Sequence, residues 1–295
     1  MSEAQAVPRA AAAEAAIANA MTVDVEDYFQ VQALAGTVSR ADWERMPARV
    51  ERNTGRILDI FAEHRVAATF FTLGWVAERH PRLVRRIVAE GHELASHGWE
   101  HVRADAQEPE VFRADVRRTK ELLEQTGGTA VKGYRAASFS IGARNPWALG
   151  ILAEEGYAYS SSIYPVRHDI YGMPGAPRFP YRPLPDSPFR EFPISTARLL
   201  GRNWPCGGGG YFRLLPYAVS TAAIRAVHRG DRRPCLFYFH PWEIDPEQPV
   251  QQGLPLKSRF RHYTNLGRME GKLRRLLRAF SWDRMDRVLD AELPG

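Results

Sequence analysis

Ser96-His97-Gly98-Trp99-Glu100-His101 sets two imidazoles four residues apart, and an acidic cluster, Asp24-Val25-Glu26-Asp27, precedes it in the chain. Two histidines at that spacing can face one point, and a carboxylate from an earlier strand end can complete a three-ligand site. Three protein ligands with one position left for water is the arrangement of a catalytic zinc rather than a structural one. A further acid beside the ligands offers a base for that water. The chemistry indicated is that of a metal-dependent hydrolase. Spacing alone is weak support, because two surface histidines on adjacent helical turns match it equally well. Position adds to it: Glu93-Leu94-Ala95-Ser96 reads as a short strand after a helix stop at Gly91, so His97 falls at a strand end. Strand carboxyl ends are where α/β folds build their sites.

The elements that must position these residues alternate between strand and helix. Met21–Val25 reads as a short strand, and Asn53-Thr54 can cap a helix carrying Ile57, Ile60 and Phe61 on one face. Val66–Leu73 is a buried β-run, followed by a helical stretch through Val76, Leu83, Val84, Ile87 and Val88. Beyond the histidines come a helix around Val111–Gln125, a strand at Val131–Arg135, a helix opened by Asn145-Pro146 and a strand at Tyr157–Ser162. Such alternation implies βαβ units with parallel pairing, in a barrel or an open sheet. No glycine-rich phosphate loop follows the first strand, which counts against a nucleotide fold. Eight of the 21 prolines lie between Pro165 and Pro193. That stretch reads as a long loop, a rim or lid packed down by Phe179, Tyr181 and Phe189. Then follow a short strand Arg190–Ile194, a helix Pro216–Arg229, an apolar strand Cys235–His240 and a helix Leu266–Phe280 with one apolar face.

At 295 residues the chain can bury one large core or two modest ones, with 44% hydrophobic and 25% charged residues. No apolar run approaches the ~18 residues of a membrane span. The net charge of +6 is local: the stretch Lys257–Arg278 is strongly basic, and the rest is close to neutral. It suits a solvated face of a packed helix, or contact with an anionic polymer. Cys206 and Cys235 make neither a disulfide framework nor a zinc pattern. Residues 1–20 are Ala-rich but interrupted by Glu3, Arg9 and Glu14, unlike a secretory signal, so a disordered leader and a cytoplasmic location are expected.

Four polar clusters follow strands: Asp24/Glu26/Asp27, His97/His101, Gly133-Tyr134-Arg135, and Phe239-His240-Pro241-Trp242-Glu243. Taken in order, with Thr22-Val23 ahead of the first and a tail His262-Tyr263-Thr264-Asn265-Leu266-Gly267 behind the last, they resemble the polysaccharide deacetylase family of carbohydrate esterases, the NodB-homology fold. Within it, the chain is most similar to the branch found with bacterial exopolysaccharide and exosortase loci. The resemblance covers nearly all of residues 21–281, with the proline-rich insert at 165–193 and a basic C-terminal extension from about residue 241.

That resemblance implies a distorted (β/α) barrel with fewer than eight full units plus a C-terminal helical extension. It also implies a divalent metal, commonly zinc, held by an aspartate and two histidines. Carried over by position, Asp24 matches the catalytic base, His97 and His101 the histidine ligands, Arg135 the arginine that orients the base, and His240 the general acid. The chain departs from the common pair of adjacent aspartates. In relatives with an Asp-x-Asp form the second acid is the ligand, and residues two apart share a strand face, so Glu26 is the choice and Asp27 the reserve. Ala136-Ala137 stands where prolines are common. The implied reaction removes N-acetyl groups from an amino-sugar oligo- or polysaccharide, releasing acetate, in exopolysaccharide biosynthesis. An allantoinase-like hydrolase of a small cyclic amide would keep the site and change the substrate. A non-catalytic binder of anionic polymer acting through Lys257–Arg278 would leave the four clusters unexplained. Neither a nucleic-acid partner nor a membrane span is expected.

Overall fold

The computed structural model describes residues 17–169 and 171–294. The leader expected over residues 1–20 lies outside that range up to residue 16. Its end does not: Ala18–Val25 forms strand β1, so the sheet starts before Met21, with Asn19 and Ala20 fully buried. Parallel neighbours follow in order: Thr69–Thr72 (β2), Glu93–Ser96 (β3), Gly133–Tyr134 (β4), Tyr159–Ser160 (β5) and Arg190–Glu191 (β6). Thr196–Leu199 (β7) and Arg202–Pro205 (β8) make a separate antiparallel hairpin, which the sequence reading did not foresee. Leu236–Phe239 (β9) and Ser281–Asp283 (β10) both return to β1, in parallel. The eight-stranded sheet is thus curled around β1, a (β/α) barrel with short strands and an incomplete wall.

Alternation along the strands sorts the side chains. Met21, Val23, Val25, Phe70, Phe237 and Phe239 pack into one core with the helices Val50–His64 and Leu266–Ala279. Ala20, Phe71, Ala95, Tyr159, Leu236 and Tyr238 form another, on the opposite, concave face. Counting by twos along that concave face leads to Asp24, His97, Arg135, Ser161 and His240 at the carboxyl ends. Period two alone therefore brings residues from five strands to one rim.

Three expectations need correction. The helix starts at Val50 rather than at Asn53-Thr54, which lie inside it and are buried. The stretch after β2 is two helices, Gly74–Arg79 and Pro81–Ala89, because Pro81 can open a helix but cannot continue one. The body also runs past residue 281: β10 pairs with β1, and Met285, Val288 and Leu289 of the helix Met285–Glu292 join the concave-face core.

The helix Leu266–Ala279 buries Leu266, Met269, Leu273, Leu276 and Leu277, as its periodicity requires. Much of the basic charge around it is engaged within the fold. Arg274 meets Glu63 and Glu270, Lys257 and Arg261 meet Asp169, and Lys272 Nζ donates to the carbonyls of Phe212, Arg213 and Leu215. Cys206 and Cys235 are free and buried.

Candidate active site

β1 ends at Val25, and the chain turns at once, Glu26 N donating to Asp24 O. Asp24 Oδ1 accepts from Arg135 at 2.5 Å, and the same guanidinium donates to Thr22 Oγ1 and to the carbonyl and hydroxyl of Ser161. Arg135 is fully buried, with its guanidinium 4.1 Å over the Phe71 ring. A buried ion pair recovers its desolvation cost only when the remaining donors are satisfied, and here those on Nε and Nη2 are satisfied as well. The carbonyl of Arg135 accepts from His97 Nδ1 at 2.8 Å. A carbonyl can only accept, so Nδ1 carries the proton and Nε2 keeps its lone pair for the site. Burial pushes His97 down to about 4, which keeps the ring neutral. One residue therefore orients both Asp24 and His97.

The loop after β3 is shaped by a left-handed turn. Gly98 has φ +75°, and His101 itself has φ +56°. Asp115 accepts from Trp99 N, and Trp99 lies so close to Gly74 that a Cβ there would sit 2.4 Å from the indole. Asp115 was not foreseen; nothing in its spacing marks it. The two histidines consequently meet across a loop, their ring centroids 5.3 Å apart, rather than on helical turns.

Glu26, His97 and His101 offer ligand atoms that lie within 4.8 Å of one another. Glu26 Oε2 is buried without a hydrogen-bond donor and lies 3.0 Å from His101 Nε2. Two ligands about 2.1 Å from one tetrahedral ion stand roughly 3.4 Å apart, so the donors suit a divalent cation such as zinc. Burial would raise the Glu26 pKa, but His101, His240 and His97 outweigh it and hold it at about 2, ionised as a ligand must be. Asp27, the reserve ligand, points elsewhere. Its Oδ2 accepts from Arg49 N and Val50 N and its Oδ1 from Tyr28 N, which caps the helix Val50–His64 from outside its own segment. An Asp27→Ala protein is therefore expected to lose about 1–2 kcal/mol in thermal unfolding while its metal content stays unchanged. Loss of metal in that variant would return Asp27 to the ligand set.

His240 closes the rim. Its Nδ1 meets Glu243 Oε1 at 2.8 Å, and its Nε2 lies 3.4 Å from Glu26 Oε1 and 3.9 Å from Asp24 Oδ2. The last gap is too long for a hydrogen bond. Burial alone would lower the His240 pKa; Glu26, Glu243 and Asp24 more than reverse this and raise it to about 9. Glu243 is in turn paired with the buried Arg213, Nε to Oε2 at 2.6 Å. The other guanidinium nitrogens of Arg213 donate to the carbonyls of Arg261, His262 and Thr264, and Asn265 Nδ2 donates to Arg213 O. The tail His262–Gly267 is thus a lock around Arg213, and His262 stacks beneath Trp242, which stacks on His240. Sequence reasoning gave Glu243 and Arg213 no role. A lone arginine in the apolar run Tyr211–Leu215 was the available signal, as was Gly207–Gly210: a Cβ on Gly208 or Gly209 would overlap Tyr238 or the Glu243 carboxylate.

These groups, with Tyr171 of the proline-rich loop, Phe139 and Tyr238, surround a cavity of about 160 Å³. It holds an anchored carboxylate, a candidate metal triad and a charged imidazole within a few ångströms, a set able to remove and deliver protons on opposite sides of one bound atom.

Residues 42–159 match the family described as polysaccharide deacetylase, and residues 161–290 match a domain of unknown function, DUF3473. A chitooligosaccharide deacetylase of Rhizobium leguminosarum bv. trifolii is 47% identical over 70 residues, 24% of this chain and 33% of that protein. A peptidoglycan-N-acetylglucosamine deacetylase of Bacillus cereus is 38% identical over 82 residues, 28% of this chain and 30% of that protein. The matched segments span about a third of these curated relatives. Among solved structures, a "probable polysaccharide deacetylase" of Pseudomonas aeruginosa PAO1 superposes with TM-score 0.59 at 17% identity, covering 94% of this chain and 91% of that one. Puue allantoinase does so with TM-score 0.59 at 16% identity and the same coverage. These two likenesses are of fold.

Proposed function

Because residues 42–159 place this chain in the polysaccharide deacetylase family, we propose that it hydrolyses the N-acetyl amide of an amino sugar in an oligo- or polysaccharide, releasing acetate. The observation that carries this reading is the convergence of the Glu26/His97/His101 triad, the Asp24–Arg135 pair and the His240–Glu243 pair on one small cavity. The relatives' names point to N-acetylglucosamine-containing substrates. The ordered motifs support a place in exopolysaccharide biosynthesis.

In this reading Glu26, His97 and His101 hold a divalent metal, zinc foremost. When bound, it supplies Lewis-acid polarisation of the amide carbonyl and a water of lowered pKa. Asp24 Oδ2 takes the proton of the attacking water, while Arg135 fixes Oδ1. His240 Nε2 gives a proton to the departing amine, since an amide nitrogen leaves poorly without one. Glu243 on Nδ1 keeps that ring charged and aimed.

Elemental analysis of wild type and of His97→Ala/His101→Ala, alongside acetate release from N-acetylglucosamine oligomers, tests the proposal. About one divalent metal per chain is expected in wild type, lost in the variant together with acetate release. Turnover of allantoin without release of acetate from the oligomers would move the same site to cyclic amides, and a metal-free, inactive wild type after zinc addition would overturn both.

A further inference from the structure

A second cavity, of about 910 Å³, opens beside the catalytic one, between the proline-rich loop and the β7–β8 hairpin. The two share an aromatic partition. Tyr171 lines the catalytic cavity, His168 lines the other, and their rings stack 4.0 Å apart and nearly parallel. The walls of the larger cleft are tied together. Asn203 Nδ2 donates to Pro165 O across it, and Arg178 joins Thr196 O to Asp231.

The charge of this cleft is unbalanced. Arg167, Arg198 and Arg202 line it, all exposed, and none of their guanidinium groups has an ion-pair or hydrogen-bond partner among the described residues. No acidic residue lines it. Elsewhere on this surface arginines are commonly paired, as Arg113 and Arg117 are with Glu155 and Arg86 is with Asp59 and Glu90. Trp204, 53% exposed, also lines the cleft, on the same hairpin face as Arg202 and opposite Ala197 in the register, and so does Tyr211. An exposed indole gives a flat apolar surface for the face of a sugar ring, and unpaired guanidinium forks match carboxylates in bidentate fashion.

We propose that this cleft binds an acidic stretch of glycan, sugars bearing carboxylates as uronic acids do, running on from the N-acetylated residue held in the catalytic cavity. The proposal rests on the deacetylase reading for its last part only. The catalytic cavity falls below the ~300–1,000 Å³ of sites that enclose whole ligands, so a polymer must leave it. The neighbouring cleft lies within that range and shares its wall. The enzyme would accordingly select N-acetyl groups in mixed, acidic polymers over those in neutral homopolymers.

The test uses the full, metal-loaded chain and two probes: hexagalacturonate, which has no N-acetyl group to hydrolyse, and chitohexaose, which has no acid. Calorimetry is expected to show hexagalacturonate binding to wild type, weakened at least tenfold in Arg198→Glu/Arg202→Glu and also in Trp204→Ala, which leaves the charge intact. Both variants sit on an exposed hairpin, and an unchanged thermal midpoint checks that they fold. kcat/KM on chitohexaose, which carries no acid for the guanidinium forks to meet, should fall less in Arg198→Glu/Arg202→Glu than hexagalacturonate affinity does. Absence of hexagalacturonate binding in wild type, binding that survives both variants, or equal binding of a single-stranded oligonucleotide of the same charge would each overturn the proposal. Failure to release acetate from chitohexaose in any of the proteins would instead strike the deacetylase reading, leaving the binding result to stand.

Discussion

An Asp24→Asn protein is expected to release acetate about 10³-fold more slowly than wild type, with its metal content unchanged. Asn keeps the shape of the carboxylate but cannot take a proton from water, and the metal triad does not include this residue. The same change should lower stability by about 3 kcal/mol, because Arg135 is fully buried and would lose its counter-charge. Thr22 and Ser161, which also accept from that guanidinium, keep the loss at the low end of what removing one partner of a buried pair costs. Arg135→Lys offers a control. It retains the charge but not the fork, so it should recover part of the stability and leave the rate depressed. Thermal unfolding, elemental analysis and an acetate assay on the three proteins are sufficient. Wild-type turnover by Asp24→Asn would remove Asp24 from the chemistry.

Glu243→Gln tests the opposite side of the site, and its signature is a pH profile. The general acid must carry its proton to act, so activity is lost as pH rises through the pKa of His240. Burial would lower that pKa, and the carboxylates of Glu26, Glu243 and Asp24 raise it instead, Glu243 being the one in direct contact with Nδ1. Replacing Glu243 removes one of these charges and the charged partner of Nδ1, so the alkaline limb should move to lower pH by about 1–3 units. A merely structural role for Glu243 would lower the unfolding temperature, since Arg213 would be left with carbonyl acceptors only, but would not shift the limb. An unshifted alkaline limb would therefore detach Glu243 from the proton step.

Much of the site was legible because the strands that carry it are apolar runs with abrupt polar ends. Val66–Leu73, Glu93–Ser96 and Cys235–His240 announce themselves in this way, and His97 and His240 stand directly after β3 and β9. Glu26 was preferred to Asp27 from the Asp-x-Asp form of the family it resembles, with strand alternation in support, although β1 has already ended at Val25 and a turn does the placing. What Asp27 does could not be read, because its partners on Arg49 and Val50 come near only through the path of the intervening loop. The strands read at Val131–Arg135, Tyr157–Ser162 and Arg190–Ile194 do hold β4, β5 and β6, but each of these has only two residues, so the apolar runs gave their places and overstated their lengths. The hairpin Thr196–Pro205 lies between a proline-rich stretch and four glycines, a composition that reads as loop. Here the glycines serve close packing against Leu236, Tyr238 and Glu243, a demand made by tertiary neighbours. Arg213 was hidden for the same reason, since its acceptors are carbonyls of a tail more than forty residues later.

The returns of β9 and β10 to β1 also set an order of assembly during translation. β1 through β6 can pair one after another as they leave the ribosome, each beside the strand just made. β1 must wait longer for its other partners: Asn19 and the Ser281 carbonyl that it meets lie 262 positions apart. Until that late segment is synthesised, a strand of eight residues, nearly all of them buried in the finished fold, keeps part of its edge open. Open strand edges recruit other chains, and contacts so distant in sequence form slowly. The nascent chain is therefore most exposed to misassembly along the very strand that carries Asp24, and a pause in synthesis before residue 281 would prolong that exposure.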